Sequence, residues 1–222
     1  MSVAPWSYSR IKTFEQCPKQ FYHLKIAKDY VEEESSAMLY GTELHSVAEE
    51  YMRDGKDIPN KFDFMKPVLN SLKKKDGMKY CEIKMGLTKD LKPCRFFAEE
   101  VWWRGIADLV IVNNKKAWVI DYKSGKSAKY ADKGQLELMA LAVFSYLPKV
   151  EIINAGLLFV VCKQLIKQVY TRSQVASLWD KWISNYKKME NAYNKDVWNA
   201  RPSGLCRRHC PVIECIHNGS NN

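Results

Sequence analysis

Residues 101–125, VWWRGIADLVIVNNKKAWVIDYKSG, hold two apolar, β-branched runs joined at Asn113-Asn114. Val110, Ile111 and Val112 precede the Asn pair and Trp118, Val119 and Ile120 follow it, which is the pattern of a β-hairpin. With Asn113 and Asn114 as the two loop residues, Val112 pairs with Lys115 and Asp108 lies opposite Val119. Opposed residues share a face and side chains alternate with period two, so Asp121 and Lys123 project from the same face as Asp108. A strand with Asp and Lys two apart is most often a solvated face. Here both acids interrupt runs that read as buried on two faces: Asp108 sits between Ile106-Ala107 and Leu109-Val110-Ile111, and Asp121 follows Trp118-Val119-Ile120. Burying two unpaired carboxylates is costly, and a divalent cation is one of the few partners that makes them tolerable.

The 222 residues can form one substantial core, and 46% hydrophobic with 27% charged residues is ordinary for a globular protein. No run of eighteen apolar residues occurs, and Met1-Ser2-Val3-Ala4-Pro5 has neither a basic nor an apolar signal region. These features exclude a helical membrane protein and predict a soluble, intracellular one. A net charge of +10 makes a polyanionic partner plausible without choosing it. Seven cysteines, with Cys206, Cys210 and Cys215 crowded near the end, argue for metal or cluster ligation rather than a disulfide framework. Cys81, Cys94 and Cys162 read as small buried hydrophobes.

Working outward, a serine at Ser7 or Ser9 caps a helix carrying Ile11 and Phe14, broken at Pro18. Glu32-Glu33-Glu34 reads as an exposed connection. From Met38 to Arg53, Leu44, Val47, Ala48, Tyr51 and Met52 make a helical stripe, with Gly41, His45 and Glu49 on another line. Alone, His45 is better explained as a capping or core-edge histidine than as a ligand. A short helix over 63–75 ends in Lys73-Lys74-Lys75, which suits its dipole. Strands are predicted from Lys79 to Leu87, containing Glu82, and from Arg95 to Arg104. A helix from about Lys133 to Leu147 carries Gln135 near its start, Ala155–Val161 and Leu165–Tyr170 form a hairpin, and Ser173 caps a long last helix.

The order is helix with His45, strand with Glu82, strand with Asp108, strand with Asp121 and Lys123, helix with Gln135, strand. It resembles the PD-(D/E)XK nuclease superfamily, and more narrowly its RecB-like exonuclease branch, which includes CRISPR-associated adaptation nucleases. The resemblance rests on YGTELHSVAEEY, RGIADLV, VIDYKSG and QLELMAL, with SYSRIKTFEQCPKQFYH matching the branch's serine-rich, Cys-Pro opening. It implies an α/β, restriction-endonuclease-like core, a central mixed β-sheet flanked by helices, in a single domain over 1–222. It also implies catalytic roles for Asp108, Asp121, Lys123, His45 and Gln135. Asp108, Asp121, His45 and the Tyr122 carbonyl would hold Mg²⁺ or Mn²⁺, Lys123 would face the attacking water, and Glu82 is a weaker outer contact. Met139 stands where a tyrosine is common, and Asp121 where glutamate is more usual.

The same resemblance implies a [4Fe-4S] cluster held by Cys17, Cys206, Cys210 and Cys215, joining segments 1–30 and 196–222 into a cap. Three residues separate the first two C-terminal cysteines and four the last two, where two and five are more familiar. His209 and His217 keep zinc as the alternative. The implied activity is metal-dependent DNA exonuclease action, giving 5′-phosphate products from single strands or duplex ends, in replication, recombination, repair or DNA degradation. A structure-specific or nicking endonuclease and a catalytically silent, cluster-bearing DNA-end binding subunit are the alternatives. DNA and the proteins of a replication or recombination complex are the implied partners, with no membrane. The implied location is the cytoplasm, which for a virus-encoded protein would be that of the host cell. Trp102, Trp103 and Tyr130 are candidates for stacking on bases, against a core role for most of them.

Overall fold

The computed structural model describes residues 4–31, 34–129 and 131–221, so Glu32, Glu33 and Tyr130 lie outside the described residues. The chain divides into two units, one of residues 35–179 and one made from both ends, residues 1–34 and 180–222.

The larger unit begins with α3 (Ser36–Asp54), which follows α1 (Tyr8–Gln16) and α2 (Pro18–Phe21) of the other unit. The Ser35 side chain caps α3 by accepting from Met38 N, and Gly55, at φ 71°, ends it in the left-handed region that a glycine adopts without strain. A 3₁₀ turn, Asn60–Met65, leads into α4 (Lys66–Lys74). Six strands follow: β1 (Met78–Leu87), β2 (Pro93–Cys94), β3 (Trp103–Asn113), β4 (Lys116–Lys123), β5 (Ile152–Phe159) and β6 (Gln164–Thr171). Their order across the sheet is β2-β1-β3-β4-β5-β6, and only β4 and β5 run parallel. That crossover is made by α5 (Gly134–Tyr146). The result is a mixed sheet flanked by helices, the α/β class expected.

On one face, Leu44, Ala48 and Met52 of α3 and Leu69 of α4 bury against Leu109, Ile111, Ile120 and Tyr122 of the central strands. Each fully buried side chain of this size contributes about 1.5–3 kcal/mol. On the other face, α5 is buried almost all round, from Leu136 through Leu138–Phe144. Gly105 lets that helix approach, because a Cβ there would come within 2.5 Å of Met139 Cε and 2.8 Å of the Trp103 ring. No helix among the described residues is long and apolar enough to cross a membrane.

Four expectations are corrected. The hairpin register is Val112 with Ala117 and Asn113 with Lys116, so Asn114 and Lys115 form the turn. Asn114 takes φ 51°, which asparagine tolerates, while Asn113 stays in the ladder. The slip is by two, an even number, so the acids stay on the same face, and counting back puts Asp108 level with Asp121. Residues 95–102 are turns, closed by Ala98 N to Arg95 O and Val101 N to Ala98 O, and β3 starts only at Trp103. The long helix, α6 (Val175–Lys195), is preceded by a 3₁₀ turn whose capping box uses Thr171 and Gln174, leaving Ser173 outside that role. Cys81, Cys94 and Cys162 are half-buried rather than buried.

In the smaller unit, Ser7 caps α1, and Ile11 and Phe14 are its buried residues. Cys17 ends α1 and caps α2, which continues as a π-helical turn, Tyr22–Ala27. Trp198 packs edge-on against Phe14 and Tyr193 and tilted against Phe21 and Tyr22. Trp6 is fully buried, with its ring centroid 5.7 Å from that of Tyr186.

Candidate active site

The carboxylates sit where the ladder of β1 and β3 is distorted. Cys81 pairs with Leu109 and Ile83 with Ala107, and Glu82 between them adopts φ 49°, a conformation a glutamate holds only against roughly 1–3 kcal/mol of strain. The twist turns Glu82 toward α3, which presents His45 on its inner line. The ligand atoms of His45, Glu82 and Asp108 lie within 4.8 Å of one another, a separation that suits three donors to one cation. His45 Nδ1 is 3.2 Å from Asp108 Oδ2, and the same oxygen accepts from Tyr122 N at 2.7 Å.

Asp121 and Lys123 end β4, one strand over. Lys123 Nζ stands 2.6 Å from Asp121 Oδ2 and donates to Gln135 Oε1 at 2.8 Å. Gln135 Nε2 in turn donates to Asp121 Oδ1 at 2.5 Å, so the amide of α5 fixes both partners. Asp108 and Asp121 are only 8% and 3% exposed. Burial and then the charge of Asp108 push Asp121 up to about 6, and the same causes push Glu82 up to about 7. Burial acts to lower His45, but its hydrogen bond to Asp108 and the surrounding carboxylates outweigh that and the net shift is upward. Crowded acids that resist ionisation are what a divalent cation relieves, and the His/Glu/Asp donor set fits Mg²⁺ or Mn²⁺. A cleft lined by Met38, Gly41, Thr42, His45, Glu82 and Ser124 opens beside these donors.

Residues 5–215 match the model of the PD-(D/E)XK nuclease superfamily. The chain belongs to the PD-(D/E)XK nuclease superfamily. Among solved structures, this nuclease is similar to a protein from Eubacterium rectale named a "putative exonuclease", at 12% identity with a TM-score of 0.54, over 92% of this chain and 88% of that one. It also matches the crystal structure of SSO0001 at 15% identity with a TM-score of 0.41, over 83% and 77% of the two chains. No curated protein matches it.

All six polar residues read from the nuclease's sequence, His45, Glu82, Asp108, Asp121, Lys123 and Gln135, come together in the larger unit, in two subsets. His45, Glu82 and Asp108 form the donor group, while Asp121, Lys123 and Gln135 form a hydrogen-bonded triad beside it. Glu82, read from sequence as an outer contact, stands with the first subset, and its positive φ had no sequence signal. Met139 fills the space over Gly105 at 4% exposure and is a core residue. Trp103 is fully buried and is a core residue, while Trp102 is half-buried and packs tilted against Trp179.

In the smaller unit of the nuclease, Cys17, Cys206, Cys210 and Cys215 line one cavity with His217. Cys17 Sγ accepts from Gln20 N and Arg201 N at 3.5 and 3.4 Å, and Cys206 Sγ from Ser203 N at 3.4 Å. Burial, with smaller contributions from Cys206, Cys17 and Cys215, pushes the Cys210 thiol up.

Proposed function

We propose that this chain is a metal-dependent DNA exonuclease of the RecB-like branch, acting on single strands or duplex ends, with a [4Fe-4S] cluster in a cap built from segments 1–30 and 196–222. The observation that carries the enzymatic reading is the pairing of a three-donor group, His45, Glu82 and Asp108, with a lysine held beside a buried acid by Gln135. Such an arrangement has no structural use that an apolar core would not serve better. A bound Mg²⁺ or Mn²⁺ would supply charge neutralisation at the scissile phosphate and acidify a water. His45, Glu82 and Asp108, with Asp121 and the Tyr122 carbonyl beside them, would hold it. Lys123 orients the water and meets negative charge growing on the phosphate, and Gln135 keeps the ammonium aimed. The name of the Eubacterium rectale protein supports the exonuclease reading.

Four thiols from both ends of the chain lining one cavity support the cluster, since four cysteine thiolates are the ligand set such a cluster takes; His217 on the same cavity keeps zinc as the second reading. N–H groups aimed at Cys17 and Cys206 suit cluster thiolates.

The test is cleavage of end-labelled linear and of circular single-stranded DNA with Mg²⁺ or Mn²⁺, alongside Asp108→Ala and Lys123→Ala. Linear DNA is degraded and circles survive; Lys123→Ala lowers the rate roughly 10²- to 10⁴-fold, and Asp108→Ala abolishes metal-dependent turnover. Absence of any metal-dependent cleavage by the wild type defeats the enzymatic reading, and cutting of circles converts it to an endonuclease.

A further inference from the structure

We infer that Phe97 and Arg104 form a stacking platform for an unpaired base and its phosphate, a few nucleotides from the candidate metal centre, so that the substrate reaching this site is single-stranded there. The inference rests on the reading of the chain as a nuclease and names a substrate subsite for it. A Cβ on Gly105 would meet Met139 of α5, so Gly105 faces that helix and its neighbours Arg104 and Ile106 point to the opposite face. This is the face from which α3 brings His45 to Asp108. Along it β1 lays Lys84 opposite Ile106, and both are solvent-exposed. Ile106, Lys84 and Arg104 therefore lie on the side of the sheet away from α5, next along β3 and β1 from the distorted stretch that carries Glu82 and Asp108. Four strand residues separate Asp108 from Arg104, about 13 Å.

At the far end, the turn closed by Ala98 N and Arg95 O presents Phe97 to solvent beside a half-buried Phe96. Their rings meet edge-on at 4.9 Å, and the Arg104 guanidinium stands 5.3 Å from Phe96 and 5.9 Å from Phe97. Phe97 is 77% exposed, so Phe96 and Arg104 steady a ring whose outer face is free. Arg104 makes no ion pair among the described residues and keeps its charge for a ligand. A flat apolar face beside an uncommitted guanidinium is the chemistry of a base and its phosphate. A second protein would require a continuous apolar patch, whereas Lys84 and Arg104 interrupt this one. Within a duplex the base faces are stacked on one another and closed to such a ring.

Binding of a fluorescein-labelled oligothymidylate, followed by anisotropy in EDTA, tests this beside cleavage of the same strand in Mn²⁺. Phe97→Ala and Arg104→Ala each weaken single-strand binding roughly 5- to 100-fold. Phe97→Trp binds like the wild type, and a duplex of the same length does not distinguish Phe97→Ala from wild type. Phe97 is too exposed for its truncation to unfold the chain. If the wild type cleaves and Phe97→Ala binds as tightly as wild type, the platform is refuted and the nuclease reading stands. If nothing is cleaved while both variants lose single-strand binding, the platform stands and the nuclease reading falls. Equal losses on duplex and single strand reduce these residues to a general phosphate contact and overturn the inference, as does a wild type that binds no single strand.

Discussion

Asp121 and Glu82 combine burial with repulsion from the Asp108 carboxylate, and this has a calculable pH consequence. Their ordinary values are 3.8 and 4.5, and in the folded chain they rise to about 6 and about 7. A carboxyl whose folded pKa is raised favours the folded state below its unfolded value, and that advantage is lost as pH rises through the folded value. Metal-free protein therefore loses thermal stability between about pH 4 and pH 7 from these two groups. A divalent cation that replaces their protons restores it, so the Tm increase caused by Mn²⁺ over EDTA grows from pH 5 to pH 8 in differential scanning fluorimetry. A Mn²⁺ shift that is flat over that range would remove these two acids from the metal's surroundings. The identities of Asp108, Asp121 and Lys123 were legible because they interrupt apolar runs. Glu82 was harder to place, because its role follows from a positive φ set by tertiary contacts, which no local pattern encodes.

Between β3 and α5 the sheet and helix touch through Gly105 and Met139. Adding a methyl at Gly105 drives it into Met139 Cε and, less forgivingly, into the buried Trp103 ring. Gly105→Ala should lower stability by about 1–3 kcal/mol in urea denaturation. Combining it with Met139→Ala should recover part of that, since the flexible clash goes and the indole remains. Strict additivity of the two changes would show that the helix is not seated on this glycine. The same contact explains why the tyrosine expected at Met139 is absent here: the position is spent on packing. Elements with strong periodicity, α3 and α4, were readable in advance. The aromatic run before Trp103 favours a strand by composition, yet Ala98 and Val101 close turns back to Arg95 and Ala98. Thr171 displaced Ser173 as a cap because Gln174 completes its box, a detail of three residues that a serine before a helical stripe outweighed.

The two units put different demands on the chain. The larger contains every donor of the candidate metal centre, while the smaller has a core of aromatic rings around Trp198 and a cavity walled by thiols. The proposed cluster predicts that Cys17→Ser bleaches absorbance near ~400 nm in anaerobically purified protein and exposes residues 196–222 to limited proteolysis, while residues 35–179 stay protected. Retention of the colour would exclude Cys17 as a ligand. What composition could not convey was the division itself, because the smaller unit is discontinuous and its halves show no shared period. This interleaving also sets a timetable for the newborn chain. Roughly two hundred residues separate Cys17 from Cys215, so at 5–20 residues per second the first thiol leaves the ribosome about ten to forty seconds before the last of its cavity mates. The sheet that carries Asp108 and Asp121 is by then already synthesised. During this interval the Cys17 thiol stands without the three that share its cavity, open to oxidation until they arrive.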